Sequence, residues 1–269
     1  ATSGGIFSLE SGEWVRKYSS GTAVEPDRQI VDYGNDLYCL FGTRLLRATI
    51  AGTVGDFSAV SGAPRGDRLC VVQDFLCIGN LSDFPGGIHW SAIDDPTSWP
   101  AIGTTEAINK QSDRQIFPTG GKVQAVVGGL SASVAGIVFL EKSMQCATYV
   151  GSPYIFQFSP IDRARGLLAP KSPVVAGSIC VFLAEDGWCM TDGSTVKSIG
   201  NQRIDDWFFE HCDSNRLGEV MGVHDSQRRL CWWAFPSDDC PANRYDRVLV
   251  YDYEQDRWSW GEITCEYIH

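Results

Sequence analysis

The feature that most constrains this chain is a recurring pair of short apolar runs hinged on Asp, Asn, Ser or Gly. Two apolar runs across a polar turn are the signature of an antiparallel β-hairpin. The pattern occurs five times. RQIVDYGNDLYCLFGT turns near Asn35-Asp36, RLCVVQDFLCIGN near Asp74, and VQAVVGGLSASVAGIVFLE between Gly129 and Ser133. VVAGSICVFLAEDGWCMTDG turns at Asp186-Gly187, and VMGVHDSQRRLCWWAFPS near Asp225-Ser226.

The turns at 36 and 74, and those at 186 and 225, are separated by 38 and 39 residues; the two intervening gaps are 55 and 57. These spacings bracket the roughly 40 to 50 residues of a four-stranded propeller blade, which buries its apolar face only by stacking on neighbours. The expectation is therefore an all-β chain. It would form a single β-propeller domain over 1–269, with five to seven blades of antiparallel strands and little helix. GGIFSLESGEWVRKYSSG reads as a further hairpin turning at Ser11-Gly12, and Ile263 to His269 as the start of a strand. The two ends would then complete one blade together.

Two segments read as pairs that end on a tryptophan past a polar turn. HWSAIDDPTSWP places Asp95, Pro96 and Trp99 in this role, and VLVYDYEQDRWSW places Asp252 and Trp258. The second resembles the kelch-type blade signature, although the paired glycines that open kelch repeats are missing from most units. Asp94-Asp95 precedes Pro96 in a turn and Asp186 precedes Gly187 in a hairpin turn, where Asp is favoured because its carboxylate bonds nearby backbone amides; Asp192-Gly193 is a further turn. The best helical segment is 203 to 210, with Ile204, Trp207 and Phe208 on one face.

The net charge of −11 arises from 33 Asp and Glu against 22 scattered Lys and Arg. That balance disfavours tight wrapping of nucleic acid, yet a negatively lined channel lets a polyanion slide without sticking. Most of the ten cysteines sit inside apolar strands, as do Cys39, Cys77, Cys180 and Cys231, whereas Cys212 and Cys240 lie in polar stretches. Free buried thiols and a reducing folding compartment fit this placement. The chain opens on Ala1-Thr2-Ser3-Gly4-Gly5, which suits a processed end and a segment of something longer alike. No signal-peptide pattern and no apolar run near the ~20 residues of a membrane span is expected.

Chemistry finds little support in the pattern. The four histidines, His89, His211, His224 and His269, show no two-ligand spacing. His211-Cys212 reads as a helix end. Asp94-Asp95, Glu185-Asp186 and Asp205-Asp206 are acidic pairs that a glycosidase could use, but the first two sit in turns. SAIDDPTSW lacks the glycine of a sialidase box, and the paired glycines do not precede a helix as a phosphate loop would. Trp232-Trp233 invites a sugar-stacking reading, for which blade packing is the stronger competitor. No catalytic, metal or cofactor-binding residue is nominated, no cofactor is expected, and the chain reads as a non-enzyme.

From Phe117 to Glu210 the chain carries, in order, FPTGGKVQAVVGG, GIVFLEKSMQCATYVGSPYIFQFSPID and RGLLAPKSPVVAGSICVFLAEDGWCMTDGSTVKSIGNQRIDDWFF. In these pieces and their order it resembles a propeller protein of bacteriophage tails. The resemblance implies a structural subunit of the tail hub or nozzle of a short-tailed phage, assembled in the host bacterial cytoplasm and located in the virion tail. Its partners would be other copies of itself in a six-membered ring and neighbouring tail or portal-adaptor proteins, with DNA passing through unbound. A glycan- or receptor-binding propeller at the virion tip is the alternative, and a glycoside hydrolase a more distant one.

Overall fold

The computed structural model describes residues 4–20 and 29–268; Ala1, Thr2, Ser3, residues 21–28 and His269 lie outside the described residues. Two compact units emerge, one of residues 1–126 with 150–156 and the other of 127–149 with 157–269.

In the first unit, β1 (Gly5–Glu10) and β2 (Glu13–Ser19) form a two-stranded sheet that turns at Ser11-Gly12 as expected. The next sheet runs β3 (Gln29–Tyr33), β4 (Asp36–Phe41) and β5 (Arg44–Ala51), with the short β6 (Thr53–Val54) and β7 (Ser58–Ala59) both paired to β5. A four-stranded sheet follows from β8 (Gly66–Val72), β9 (Phe75–Leu81), β10 (Gly87–Trp90) and β11 (Asp113–Ile116). Helix α1 (Thr105–Asn109) sits between the last two strands.

A further sheet has the order β12 (Val123–Gly128), β13 (Gly136–Leu140), β14 (Met144–Gly151) and β15 (Ile155–Asp162). The second unit holds the sheet of β16 (Val174–Ala176), β17 (Ile179–Ala184), β18 (Gly187–Thr191) and β19 (Val196–Ser198). After α2 (Asp205–His211) and a 3₁₀ turn at Leu217–Glu219 come β20 (Met221–Asp225), β21 (Leu230–Phe235), β22 (Tyr245–Asp252) and β23 (Arg257–Cys265). In the four four-stranded sheets consecutive strands are sheet neighbours, and in the remaining one β3, β4, β5 and β6 are, with β7 returning to β5; this is the up-and-down order of a propeller blade.

Two expectations are corrected. Tyr245 to Cys265 complete the last sheet by themselves, and β1 pairs with β2, so each end of the chain finishes its own sheet. Trp99 is not on a returning strand. Pro96 and Pro100 flank it and cannot donate to a ladder, so the chain runs on through α1 and returns to β10 only at β11, with Trp90 opposite Asp113. The helix α1 was not anticipated; Thr104 caps it, its Oγ1 accepting the Ala107 amide at 3.2 Å.

The cores follow the strand alternation. Tyr38, Leu40, Leu45, Leu69, Leu76 and Ile78 pack together in the first unit. In the second, Val181, Leu183, Trp188, Phe208, Trp233, Phe235, Leu249 and Tyr251 form one cluster. Trp232 and Trp233 point to opposite faces as a strand requires: Trp233 is fully buried and Trp232 half-buried. The helix α2 begins two residues later than the pattern suggested, with Ile204 and Phe208 buried and Trp207 half-buried.

Candidate functional site

The residues singled out in the sequence are turn and packing residues in the structure. Asp192 Oδ1 accepts the amides of Ser194 and Thr195 at 2.8 and 2.9 Å and the Ser194 hydroxyl at 2.8 Å. Those three donors, the Thr195 amide foremost, bring its pKa down to about 2. Asp252 Oδ1 accepts the amides of Glu254 and Gln255, and Asp95 Oδ1 the amide and hydroxyl of Thr97. Asp225 closes the β20–β21 turn in the same way, through the amides of Gln227 and Arg228. Asp186 departs from this pattern. Its carboxylate lies against the Arg165 guanidinium, with Nε at 3.0 Å from both oxygens, and it serves as a charge partner for a segment 21 residues away.

Gly187 and Gly193 have φ of 114° and 89°, a region open chiefly to glycine. At Gly187 a Cβ would lie 2.2 Å from the Asp205 carboxylate, so no other residue fits. That carboxylate is the structural residue the sequence left unassigned. It is buried, and its Oδ1 accepts the Trp188 amide at 3.0 Å. Burial raises its pKa, opposed by that hydrogen bond.

The tryptophans knit the second unit. Trp188 lies 4.5 Å from Trp233 and 5.3 Å from Phe208, ring centre to ring centre. Trp233 Nε1 donates to Ser172 O at 2.8 Å, and Ser172 Oγ accepts the Leu183 amide, which fixes the Ala-Pro-Lys-Ser connection. Trp258 stacks on Tyr251 at 4.5 Å and donates to Ile199 O at 3.1 Å. In the first unit Trp99 Nε1 donates to Pro96 O at 2.9 Å, and its ring meets His89 edge-on at 5.3 Å.

No protein-family model and no curated protein sequence matches the chain. Among solved structures it is similar to the Neurospora crassa Pan2 WD40 domain, with a TM-score of 0.54 and 6% identity over 98% of this chain and 74% of that one. It is similar also to a structure of YCF48 bound to D1 peptide, with a TM-score of 0.50 and 8% identity over 90% of this chain and 71% of that one. The fold is a β-propeller. Identities this low carry the fold alone.

His211 ends α2 with Nδ1 2.7 Å from Trp207 O, and His224 Nε2 lies 3.1 Å from the Tyr253 hydroxyl. Among the described residues no group of three or more His, Cys, Asp or Glu could hold a metal. No disulfide joins the ten cysteines, and eight are buried, Cys212 and Cys240 among them. Burial raises the thiol pKa of Cys231 and of Cys212 to about 12. Among the described residues no helix is long and apolar enough to cross a membrane.

Two surface features stand out. A cleft of about 560 Å³ lies over the face of the last sheet that carries Trp232, between Val223, Asp225, Arg228, Val248 and Ile263. The other is the apolar face of the β1–β2 hairpin. Leu9 and Trp14 are cross-strand partners, and Phe7 lies opposite Arg16 on the same face. Leu9 is 60% and Trp14 71% exposed. At its base the hairpin is held by Ile6, by Tyr18 edge-on to Phe41 at 5.1 Å, and by the Phe57 amide donating to Lys17 O. The sequence predicts the hairpin, and its alternation marks the apolar face, but not that the face is left open.

Proposed function

We propose that this propeller is a structural subunit of the tail hub or nozzle of a short-tailed bacteriophage. It works as one of six copies in a ring that holds neighbouring tail proteins while DNA passes through. The reading rests on the resemblance carried by Phe117 to Glu210, and one structural observation supports it most. The hairpin formed by β1 and β2 is anchored at its base and presents Phe7, Leu9 and Trp14 to solvent at its tip. Two-stranded hairpins are marginal in water, and clustered exposed apolar side chains mark interaction surfaces. A neighbouring copy is the occupant this reading assigns to that face.

The charge pattern supports the passage of DNA without retention. Arg47 pairs with Asp36, Arg203 with Asp256, Arg216 with Glu219 and Arg247 with Glu262, so cations are neutralised in place against a net charge of −11. A phosphate backbone meets few uncommitted cations on such a surface.

The test is the mass of the isolated chain by mass photometry, together with mass spectrometry of purified virions. A ring-sized assembly and the chain's presence in virions are the expected results. A strict monomer absent from every virion would overturn the proposal.

A further inference from the structure

We propose that the margin where α2 meets β23 is a saccharide-binding platform, with the indole of Trp260 as its stacking surface. This goes beyond the assembly role and does not depend on it. Trp258 and Trp260 leave the same face of β23, since strand side chains alternate. Trp258 turns into the core, whereas Trp260 is 56% exposed.

Isolated exposed aromatics are ordinary; this one is braced. Trp207 stacks on Trp260 with ring centres 4.7 Å apart and planes 24° from parallel. Trp207 also stacks on His211 at 4.5 Å and 21°, and meets the edge of Phe235 at 6.2 Å. His211 Nδ1 is held 2.7 Å from Trp207 O, which fixes the imidazole in the stack. The exposed indole is thus rigid before any ligand arrives, which removes an ordering cost that a free side chain would incur.

Hydrogen-bonding groups stand at its rim. Trp260 lies opposite Leu249, and two residues further along the same strands Glu262 lies opposite Arg247, on the same face. Arg247 Nη1 donates to Glu262 Oε1 at 2.7 Å, and the Glu262 side chain is 76% exposed. A flat apolar ring beside a guanidinium and a carboxylate suits a ligand with a C–H face and a rim of hydroxyls, which is the chemistry of a neutral pyranose. An apolar protein partner would have to strip water from the Arg247–Glu262 pair, a costly exchange. A stacked nucleotide would bring phosphates to a chain of net charge −11.

The pair Trp232-Trp233, where the sequence invited sugar stacking, does not supply such a surface, because Trp233 is buried in the core.

The experiment is titration of the full chain with a panel of neutral tetrasaccharides (β-1,4-glucan, α-1,4-glucan and β-1,4-mannan) and, separately, with a single-stranded DNA oligonucleotide. Binding is read by calorimetry and by the Trp260 indole N–H resonance. At least one tetrasaccharide is expected to bind and to shift that resonance. Trp260→Ala should weaken this binding by about tenfold or more, in line with the worth of one aromatic contact. Trp260→Phe should retain part of it, and both variants should stay folded and melt within about 5 °C of wild type, the small loss reflecting the missing stack on Trp207. No binding to any tetrasaccharide at millimolar concentration would overturn the proposal. So would equal affinity in Trp260→Ala, tighter binding of the oligonucleotide than of every sugar, or a Trp260→Ala effect confined to self-association.

Discussion

The buried Asp205 carboxylate accepts the Trp188 backbone amide at 3.0 Å and so ties the first turn of α2 to β18. Gly187 and Gly200 leave the space it occupies, because a Cβ at either would fall within 2.2 Å of its side chain. Asp205→Ala leaves the Trp188 amide buried without a partner, and a loss of about 1–3 kcal/mol in urea unfolding is expected. Asp205→Asn keeps an acceptor and removes a charge whose burial already raises the pKa, so it should be as stable as wild type at neutral pH. Equal losses in both variants would show that the charge, and not the acceptor, matters.

His89 gives the first unit a pH dependence. It is buried beside Trp99, its Nε2 has no hydrogen-bond partner, and burial, aided by the Arg114 charge, lowers its pKa to about 4. The folded state therefore resists the proton that the unfolded chain accepts near 6.5. The stability is whole above about 6.5 and declines as pH falls, levelling off below about 4, and the gap corresponds to roughly 3 kcal/mol. Chemical denaturation across this range should show the decline in wild type and a shallower one in His89→Phe.

Trp233 fills the centre of the second unit and donates to Ser172 O. Trp233→Ala combines a large cavity with an unmet carbonyl, and a loss of about 3–5 kcal/mol is expected. Trp232→Ala, one residue away on the opposite, half-open face, should cost far less. Comparable losses by calorimetric melting would contradict the facing assigned to this strand.

The hairpins were legible because two-residue alternation and Asp-led turns are local properties; Asp95 bonds the Thr97 amide as its turn predicts, whereas Asp186, given the same role, takes Arg165 instead. Blade count was not legible. In four sheets the conspicuous turn joins the first two strands, but in the sheet of β16 to β19 it joins the second and third, at Asp186. The less conspicuous first turn there is Gly177-Ser178. The insertion carrying α1 between β10 and β11 lengthens another gap.

Long-range partners were equally hidden. Nothing around Asp186 marks Arg165, and nothing around Asp205 marks the Trp188 amide, because both contacts exist only once distant segments have packed. The same holds for exposure. Leu9 and Trp14 alternate as any strand residues do, and only the fold reveals that no described residue covers them. The aromatic stack of His211, Trp207 and Trp260 likewise joins a helix to a strand some 50 residues on.

The assembly reading is tested most directly by mass photometry of the intact chain beside the double variant Leu9→Asp with Trp14→Asp. Both positions are exposed, but the two carboxylates stand opposite each other across the hairpin, so the variant should stay folded at a cost of about 1 kcal/mol. Wild type should form a ring-sized particle that the variant cannot form, remaining at the mass of a single chain. A wild-type chain that stays monomeric, or a variant that assembles as well as wild type, would contradict the account.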